Sequence, residues 1–203
     1  MKRLAILGAS GHGKVVADAA ELSGWDEVVF FDDAWPQITS NSVWPVLGNT
    51  AALLDSLDAF AGVAIAIGNN VIRLDKLKQL REQGAILPVI IHPSAVISRY
   101  ATLGEATVVC AGVVVNADAR VGAAAILNTG CSVDHDCVLA DAVHISPGAR
   151  LAGGVQVGQC SWIGMGAVVR QLLSVGAYSV VGAGAAVVKN VGEHTAVIGV
   201  PAQ

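Results

Sequence analysis

Residues 121–139, VGAAAILNTGCSVDHDCVL, place an aliphatic side chain at every sixth position: Val121, Leu127, Val133 and Leu139. The same step runs back through Val115, Val109, Leu103 and Ile97 to Ile91. Forward, it runs through Ile145, Leu151, Val157, Ile163, Val169, Val175 and Val181 to Val187, making seventeen positions without an interruption. An amphipathic helix repeats near about 3.6 residues and a half-buried strand at about 2, so a strict hexad means a short strand plus a corner, stacked turn upon turn into a solenoid. Four residues after each aliphatic the side chains are nearly all small, as at Ala95, Ala101, Thr107, Ala119, Ala125, Cys131, Ala149, Ser161, Ala167 and Ala185. Small side chains there let a narrow, three-sided coil close. Directly after the aliphatic stand Gly104, Asn116, Gly122, Asn128, Asp134, Gly158, Gly164, Gly176 and Gly182. These types best tolerate a positive φ, so the corners are expected at these positions. Three hexads per coil give nearly six coils, each rising ~4.8 Å if neighbouring coils pair as parallel strands. The aliphatic column is core and carries no chemistry of its own.

Composition agrees with this reading. Hydrophobic residues make up 54% of the 203 positions and aromatic ones only 4%, which fits a core of stacked Val, Ile, Leu and Ala. No uninterrupted apolar run approaches the ~20 residues of a spanning helix. The start, Met1-Lys2-Arg3-Leu4-Ala5-Ile6-Leu7, has the look of a leader, but Gly8, Ser10, Gly11, His12, Gly13 and Lys14 cut it short. It is read as a buried first strand of a cytoplasmic protein. A net charge of -4 offers no footprint for nucleic acid. Cys110, Cys131, Cys137 and Cys160 have no CxxC spacing and read as buried free thiols.

The pattern changes near Leu87, which divides the chain into residues 1–86 and 87–203. The first part alternates strands (Leu4 to Leu7, Val28 to Phe31, Val63 to Ile67, Ile86 to Ile91) with helices (Lys14 to Leu22, Thr50 to Phe60, and one ending at Gln83). That alternation predicts an α/β domain with a small parallel sheet of Rossmann type. The loop Gly8-Ala9-Ser10-Gly11-His12-Gly13-Lys14 lies between the first strand and the first helix, where glycines allow close backbone approach and a helix N-terminus favours an anion. As a Walker A loop it has Val15 where a hydroxyl would hold magnesium. As a nicotinamide loop its glycine spacing differs from G-x-G-x-x-G. A plain tight turn also accounts for the glycines. Asp32 and Asp33, at the end of the second strand, suit ribose hydroxyls and favour a nucleotide ligand. His12 has the chemistry to bond a phosphate or sugar hydroxyl, or it is simply solvated.

The chemistry concentrates in Asn128-Thr129-Gly130-Cys131-Ser132-Val133-Asp134-His135-Asp136-Cys137, followed by His144. His135 falls just past a core aliphatic and is expected to point outward. An imidazole flanked by carboxylates is equipped for general-base work, because the acid orients its tautomer and stabilises the imidazolium. His144 lies one and a half hexads on, near a different corner, so one chain does not bring both rings to one substrate. A symmetric oligomer with its site between solenoids is expected, and a trimer is the simplest ring for a three-sided prism. A surface role for each histidine is the competing reading. A zinc site is not expected: His135 and His144 lack a close-spaced third ligand, and His92 and His194 lie at the two ends.

Several motifs occur together in one order: the Gly-Ala-Ser-Gly-His-Gly-Lys loop, Phe30-Phe31-Asp32-Asp33, Ala66-Ile67-Gly68-Asn69-Asn70 with Arg73, Ile91-His92-Pro93-Ser94-Ala95, Val133-Asp134-His135-Asp136-Cys137, and Gly199-Val200-Pro201-Ala202. In this the whole chain resembles the NeuD/PglD-like sugar O- and N-acetyltransferases of the hexapeptide-repeat class. The resemblance implies a left-handed parallel β-helix, against the usual right-handed crossover preference. It also implies a homotrimer binding acetyl-CoA between subunits and a nucleotide sugar in the N-terminal domain. By the same resemblance His135 is the catalytic base and Asp136 its partner. His144, Gly153, Met165 and Gly182 contact acetyl-CoA, with the Gly153 N–H stabilising the oxyanion. Gly8, Ser10, Gly11, His12, Gly13, Asp32, Asp33, Asn69 and Arg73 line the sugar-nucleotide site. Relatives usually carry a basic residue or two after the terminal Val-Pro-Ala, where this chain has Gln203, so it reads as shortened there. The implied acceptor is the C4 amine of a UDP-linked amino sugar. A GDP-amino sugar, a sialic acid hydroxyl and a non-catalytic nucleotide-sugar-binding scaffold are the alternatives.

Overall fold

The structure, a computed structural model, describes residues 1–203. The chain begins with β1 (Arg3–Leu7), α1 (Gly11–Leu22), β2 (Glu27–Phe31), β3 (Ser40–Asn41), β4 (Trp44–Gly48), α2 (Thr50–Leu54), β5 (Gly62–Ile65) and α3 (Asn70–Glu82). The sheet order is β3-β4-β2-β1-β5. All neighbours are parallel except β3 and β4, which form an antiparallel edge hairpin. The sheet is therefore mixed rather than wholly parallel. The hairpin escapes a pattern reading because β4 contains Pro45 and β3 is a polar Ser-Asn pair. The helix expected from Thr50 to Phe60 stops at Leu54, where the Ser56 hydroxyl bonds back to the carbonyls of Ala52 and Leu53. The strand expected from Ile86 to Ile91 shrinks to Ile90–Ile91 and joins the solenoid instead. Ile86 still accepts one bond from the Val63 amide at 2.8 Å, but Pro88 has no N–H with which to continue a ladder.

From Ile90 the chain winds as a left-handed parallel β-helix with three faces. The first face stacks Ile90–Ile91, Val108–Val109, Ile126–Leu127, His144–Ile145, Trp162–Ile163, Val180–Val181 and Ala196–Val197. The second runs from Val96–Ile97 to Ala186–Val187 and the third from Thr102–Leu103 to Ser174–Val175. In each strand the second residue points inward, and these aliphatics join the small residues in one continuous buried cluster. All four cysteines are buried and unpaired.

The corners differ from expectation in one respect. Positive φ occurs three residues after the core aliphatic, at Gly112 (68°), Asp118 (60°), Ala124 (49°), Gly130 (64°) and Asp136 (59°), rather than directly after it. Glycine directly after the aliphatic answers a steric demand. A Cβ at Gly158 would lie 2.4 Å from the Ala177 amide nitrogen of the next coil, and one at Gly122 would lie 2.7 Å from the backbone carbon of Ala140. At Gly130, whose φ is left-handed, a Cβ would meet nothing within 4 Å.

The N-terminal domain sits on the first face and on the corner leading into it. Ile90 and Val108 point outward from the coil yet are buried against β1, β2 and α1. Ala106, Ala124, Ala142 and Cys160, a column along the corner, pack under α3 and β5. Arg73, fully buried, is the polar fastener. Its guanidinium donates to the carbonyls of Ala124 (2.8 Å), Ala142 (2.9 Å), Ile67 (2.9 Å) and Gly68 (3.2 Å) and to Asn70 Oδ1 (2.8 Å).

The two kinds of glycine separate by experiment. Gly158→Ala is expected to cost about 2–3 kcal/mol by overpacking, and Gly130→Ala about 1 kcal/mol through φ alone. Urea unfolding of the two variants checks the order.

Candidate active site

His135 occupies the corner between Ser132–Val133 on the second face and Val138–Leu139 on the third, the edge opposite the N-terminal domain. Three neighbours hold it. Asp134 Oδ1 accepts from the His135 amide at 2.9 Å and from Asn116 Nδ2 at 2.8 Å, which pins the turn. Asp136, in the left-handed region that Asp tolerates better than most side chains, brings Oδ2 to 2.7 Å from His135 Nδ1. The ring lies over Gly153, where a Cβ would sit 2.5 Å from Nε2. With Nδ1–H given to Asp136, Nε2 is the free basic nitrogen, and it faces a cleft of about 380 Å³ lined by Asp136, Gly153, Gly154, Gln171 and Leu172. The bond to Asp136, aided by the nearby carboxylate charges, raises the His135 pKa above 6.5.

A second cleft, also about 380 Å³, opens on the first face just beyond the footprint of the N-terminal domain. It is lined by His144, Ser146, Trp162, Met165, Val180 and Gly182, among others. Trp162 stacks on His144 with ring planes 3° apart and centroids 5.4 Å apart, and its indole N–H donates to Ser146 Oγ at 2.6 Å. Asn128 Nδ2 reaches His144 Nε2 at 3.3 Å. Burial, and then the charge of Arg73, push the His144 pKa down to about 3, so this ring is neutral. His135 is thus equipped as a base, and His144 as a neutral hydrogen-bonding group.

The third location is the loop after β1. The carboxylates of the paired aspartates also serve the fold. Asp32 accepts from the amides of Ala9 (2.7 Å) and Ala34 (2.9 Å), and Asp33 accepts from the Thr50 amide (2.9 Å). That Thr50 bond, the largest influence on it, holds Asp33 below the usual carboxylate range. Lys76, which the sequence reading did not single out, joins Gly8, Asp32 and Asp33 around a small cleft. Gly8 has φ 110° and no room for a Cβ against Ala66 O. A Cβ added at Gly13 would lie 2.5 Å from the Gly8 carbonyl oxygen. Ser10 caps α1 without a side-chain bond, and Gly11 is open to solvent. This leaves the first amides of a twelve-residue helix for an anion. His12 is largely buried, with its pKa lowered to about 4 by desolvation and then by Arg73.

Two residues expected at the nucleotide have other work. Arg73 has every guanidinium N–H engaged within the chain and none left for a ligand. Asn69 caps α3 by accepting from the amides of Val71 and Ile72, both at 3.1 Å, and borders Trp162 and Val180 rather than the loop. Trp162, Gln171 and Asn128 were not assigned from sequence. The signal for Trp162 was available, since it stands one full coil, eighteen residues, after His144.

The molecule therefore combines a small α/β domain bearing an anion-friendly loop with a left-handed β-helix carrying a His-Asp pair, the architecture of hexapeptide-repeat acetyltransferases. A family model described as the PglD N-terminal domain matches residues 3–80. The acetyltransferase domain of PglB from Neisseria gonorrhoeae, solved with acetyl coenzyme A, is 42% identical. That match covers 100% of this chain and 98% of that one, with a TM-score of 0.95. A perosamine N-acetyltransferase from Caulobacter crescentus, a variant solved with CoA and GDP-perosamine, is 39% identical over 100% of this chain and 96% of that one, with a TM-score of 0.96. A UDP-N-acetylbacillosamine N-acetyltransferase from Bacillus subtilis is 37% identical over 118 residues, 55% of this chain and 52% of that relative. The chain thus spans about half the length of that curated relative. It belongs to the PglD-like family of sugar N-acetyltransferases, enzymes that use acetyl-CoA. No helix of the chain is long and apolar enough to cross a membrane.

Gly153→Ala tests whether the His135 ring needs the bare backbone beneath it. The added methyl is expected to displace the ring and lower kcat/KM by about 10²-fold, with the thermal midpoint nearly unchanged because the His135 side chain that must move is exposed. Steady-state kinetics and a melting curve check both parts.

Proposed function

We propose that this chain transfers the acetyl group of acetyl-CoA to the C4 amine of a UDP-linked 4-amino-4,6-dideoxy-N-acetyl sugar, at sites between the subunits of a cytoplasmic homotrimer. The observation that carries the reading is His135, with Nδ1 held at 2.7 Å by Asp136 and Nε2 free over Gly153. In the proposed step the neutral amine attacks the thioester carbonyl while His135 Nε2 takes its proton. The tetrahedral oxyanion forms against the Gly153 N–H, which has no acceptor in the chain. Collapse breaks the carbon–sulfur bond, and the coenzyme A thiolate leaves with the proton held on His135. No covalent acyl-enzyme is needed. Cys131, pushed up to about 12 by burial, and Cys137, raised by the same cause, are poor nucleophiles.

The placement of the parts supports an intersubunit site. The loop of Gly8 to Lys14 lies with the N-terminal domain on the first face, and His135 lies on the opposite edge of the prism. A second copy would bring its His135 to the donor cleft around His144, and a three-sided prism closes such contacts as a ring of three. Gly8, Ser10, Gly11, His12, Gly13, Asp32 and Asp33 would then hold the sugar nucleotide, and His144, Met165 and Gly182 the acetyl donor. A second reading, with GDP in place of UDP, is favoured by the GDP-perosamine in the Caulobacter crescentus relative, which aligns with the whole of this chain.

Thiol release from acetyl-CoA tests the reaction against a UDP-4-amino-4,6-dideoxy-N-acetylglucosamine, its GDP-linked counterpart and free sialic acid. Turnover with the UDP sugar is expected, and turnover with the GDP sugar alone would move the assignment to the second reading. His135→Ala is expected to lower kcat by about 10²–10⁴-fold while nucleotide-sugar binding persists. Unchanged turnover would remove His135 from the mechanism.

The pH profile carries a sign. The base form of His135 is active and its pKa lies above 6.5, so kcat/KM rises with pH through a value above that of free histidine. In Asp136→Asn the raising partner is gone. The acid limb is expected to move to lower pH while the plateau drops by at least about tenfold.

A further inference from the structure

Two buried polar side-chain atoms have no hydrogen-bond partner: Nε2 of His12 and Nδ1 of His144. They belong to opposite sides of the domain junction. His12 stands in the first turn of α1, and His144 on the face of the coil on which α1 packs at Ile90–Ile91. The Arg73 guanidinium spans the gap between them: it donates to the Ala142 carbonyl, two residues before His144, and to the Ile67 and Gly68 carbonyls, in the loop against which Gly8, at the start of the α1 loop, is packed. A buried polar atom left unpaired is costly, so two at one junction call for a common cause.

Neighbouring bonds settle the tautomer of His144. Asn128 Oδ1 accepts from the Thr129 amide at 2.8 Å, so the amide group 3.3 Å from His144 Nε2 is Nδ2. An NH₂ group only donates, so Nε2 accepts and the neutral ring carries its proton on Nδ1. The orphan on His144 is therefore a donor. The orphan on His12 becomes an acceptor once that ring holds its proton on Nδ1. Arg73 is excluded as the missing partner of either ring, because all its N–H groups are bonded elsewhere. Both imidazoles are neutral at pH 7, held low by burial first and by Arg73 second.

We propose that one bound water links His144 Nδ1–H to His12 Nε2, and that this bridge makes His12 a positioning residue for the acetyl-donor cleft. The bridge and Asn128 hold the His144 ring at both nitrogens, flat against Trp162, as a wall of the cleft. It also ties that wall to the loop whose free amides face the nucleotide, so ordering of one site favours ordering of the other. The proposal rests on the acetyl-donor reading of the His144 cleft.

The test needs neither acceptor sugar nor turnover. Long-range ¹⁵N–¹H spectra of the intact ¹⁵N-labelled protein at pH 7 are expected to show His144 as the Nδ1–H tautomer. Its Nδ1 resonance should shift in His12→Ala and return toward the wild-type position in His12→Gln, whose amide oxygen reaches the place of Nε2. Calorimetry with coenzyme A is the second readout. His12→Ala and His144→Ala are each expected to weaken CoA by about fivefold, the scale of one hydrogen bond. The double variant should bind no more weakly than His144→Ala alone. A proton on His144 Nε2, a resonance indifferent to His12, or additive losses of affinity would overturn the bridge. Failure of CoA to bind even the wild type would count against the acetyl-donor reading instead, and the tautomer would still decide the bridge.

Discussion

Every part of the site depends on one constraint, the parallel backbone ladder that pairs each coil with the residue eighteen positions on. The Gly154 amide bonds to the His135 carbonyl at 2.8 Å, and the His144 amide to the Ser161 carbonyl at 3.0 Å. Through this register Gly153 comes to lie beneath the His135 ring and Trp162 beside His144. Each such bond contributes only about 1 kcal/mol net, but the ladder is continuous along three faces, and slipping any coil would break bonds on all of them. The narrowness of the coil reinforces the register. Glycine directly after the core aliphatic is what allows one coil to approach the next, as the 2.4 Å clash at Gly158 shows.

On this rigid frame the chain sets two histidines in opposite environments. His135 stands in solvent beside two carboxylates, which favour its charged form and lift its pKa. His144 is walled in by Trp162 and the domain junction, with the Arg73 charge nearby, and stays neutral far below physiological pH. One imidazole is placed to take up a proton readily and the other to stay uncharged. The same side chain is thus basic in one place and a neutral hydrogen-bonding group in the other, and desolvation makes the difference.

The junction also resolves an ambiguity in the repeat. A shift of six residues leaves the aliphatic column intact but carries every outward residue to the next face. Hydrophobic pattern alone therefore does not say which face is which. The N-terminal domain decides it by burying the outward side chains of Ile90 and Val108 and by anchoring Arg73 on the Ala124 and Ala142 carbonyls. Below that footprint the first face opens into the cleft with His144 at its border.

The sequence by itself determined the coil, because a period of six belongs to no other common element and its core residues report on themselves. It also exposed His135 and Asp136, adjacent in the chain and so legible without a fold, and the order of motifs that marks the family. It misjudged what depends on neighbours distant in the chain. Positive φ was placed two residues too early, since glycine there answers to the next coil rather than to its own torsion. The β3–β4 hairpin was missed because β4 carries Pro45 and its edge partner β3 is only the polar pair Ser40–Asn41. Arg73 looked like a ligand-binding cation, and only the packing of α3 against the coil showed its five donors spent on holding the two parts together. Tertiary structure alone set His12 and His144 at one junction, because their 132-residue separation closes only when the sheet seats on the first face.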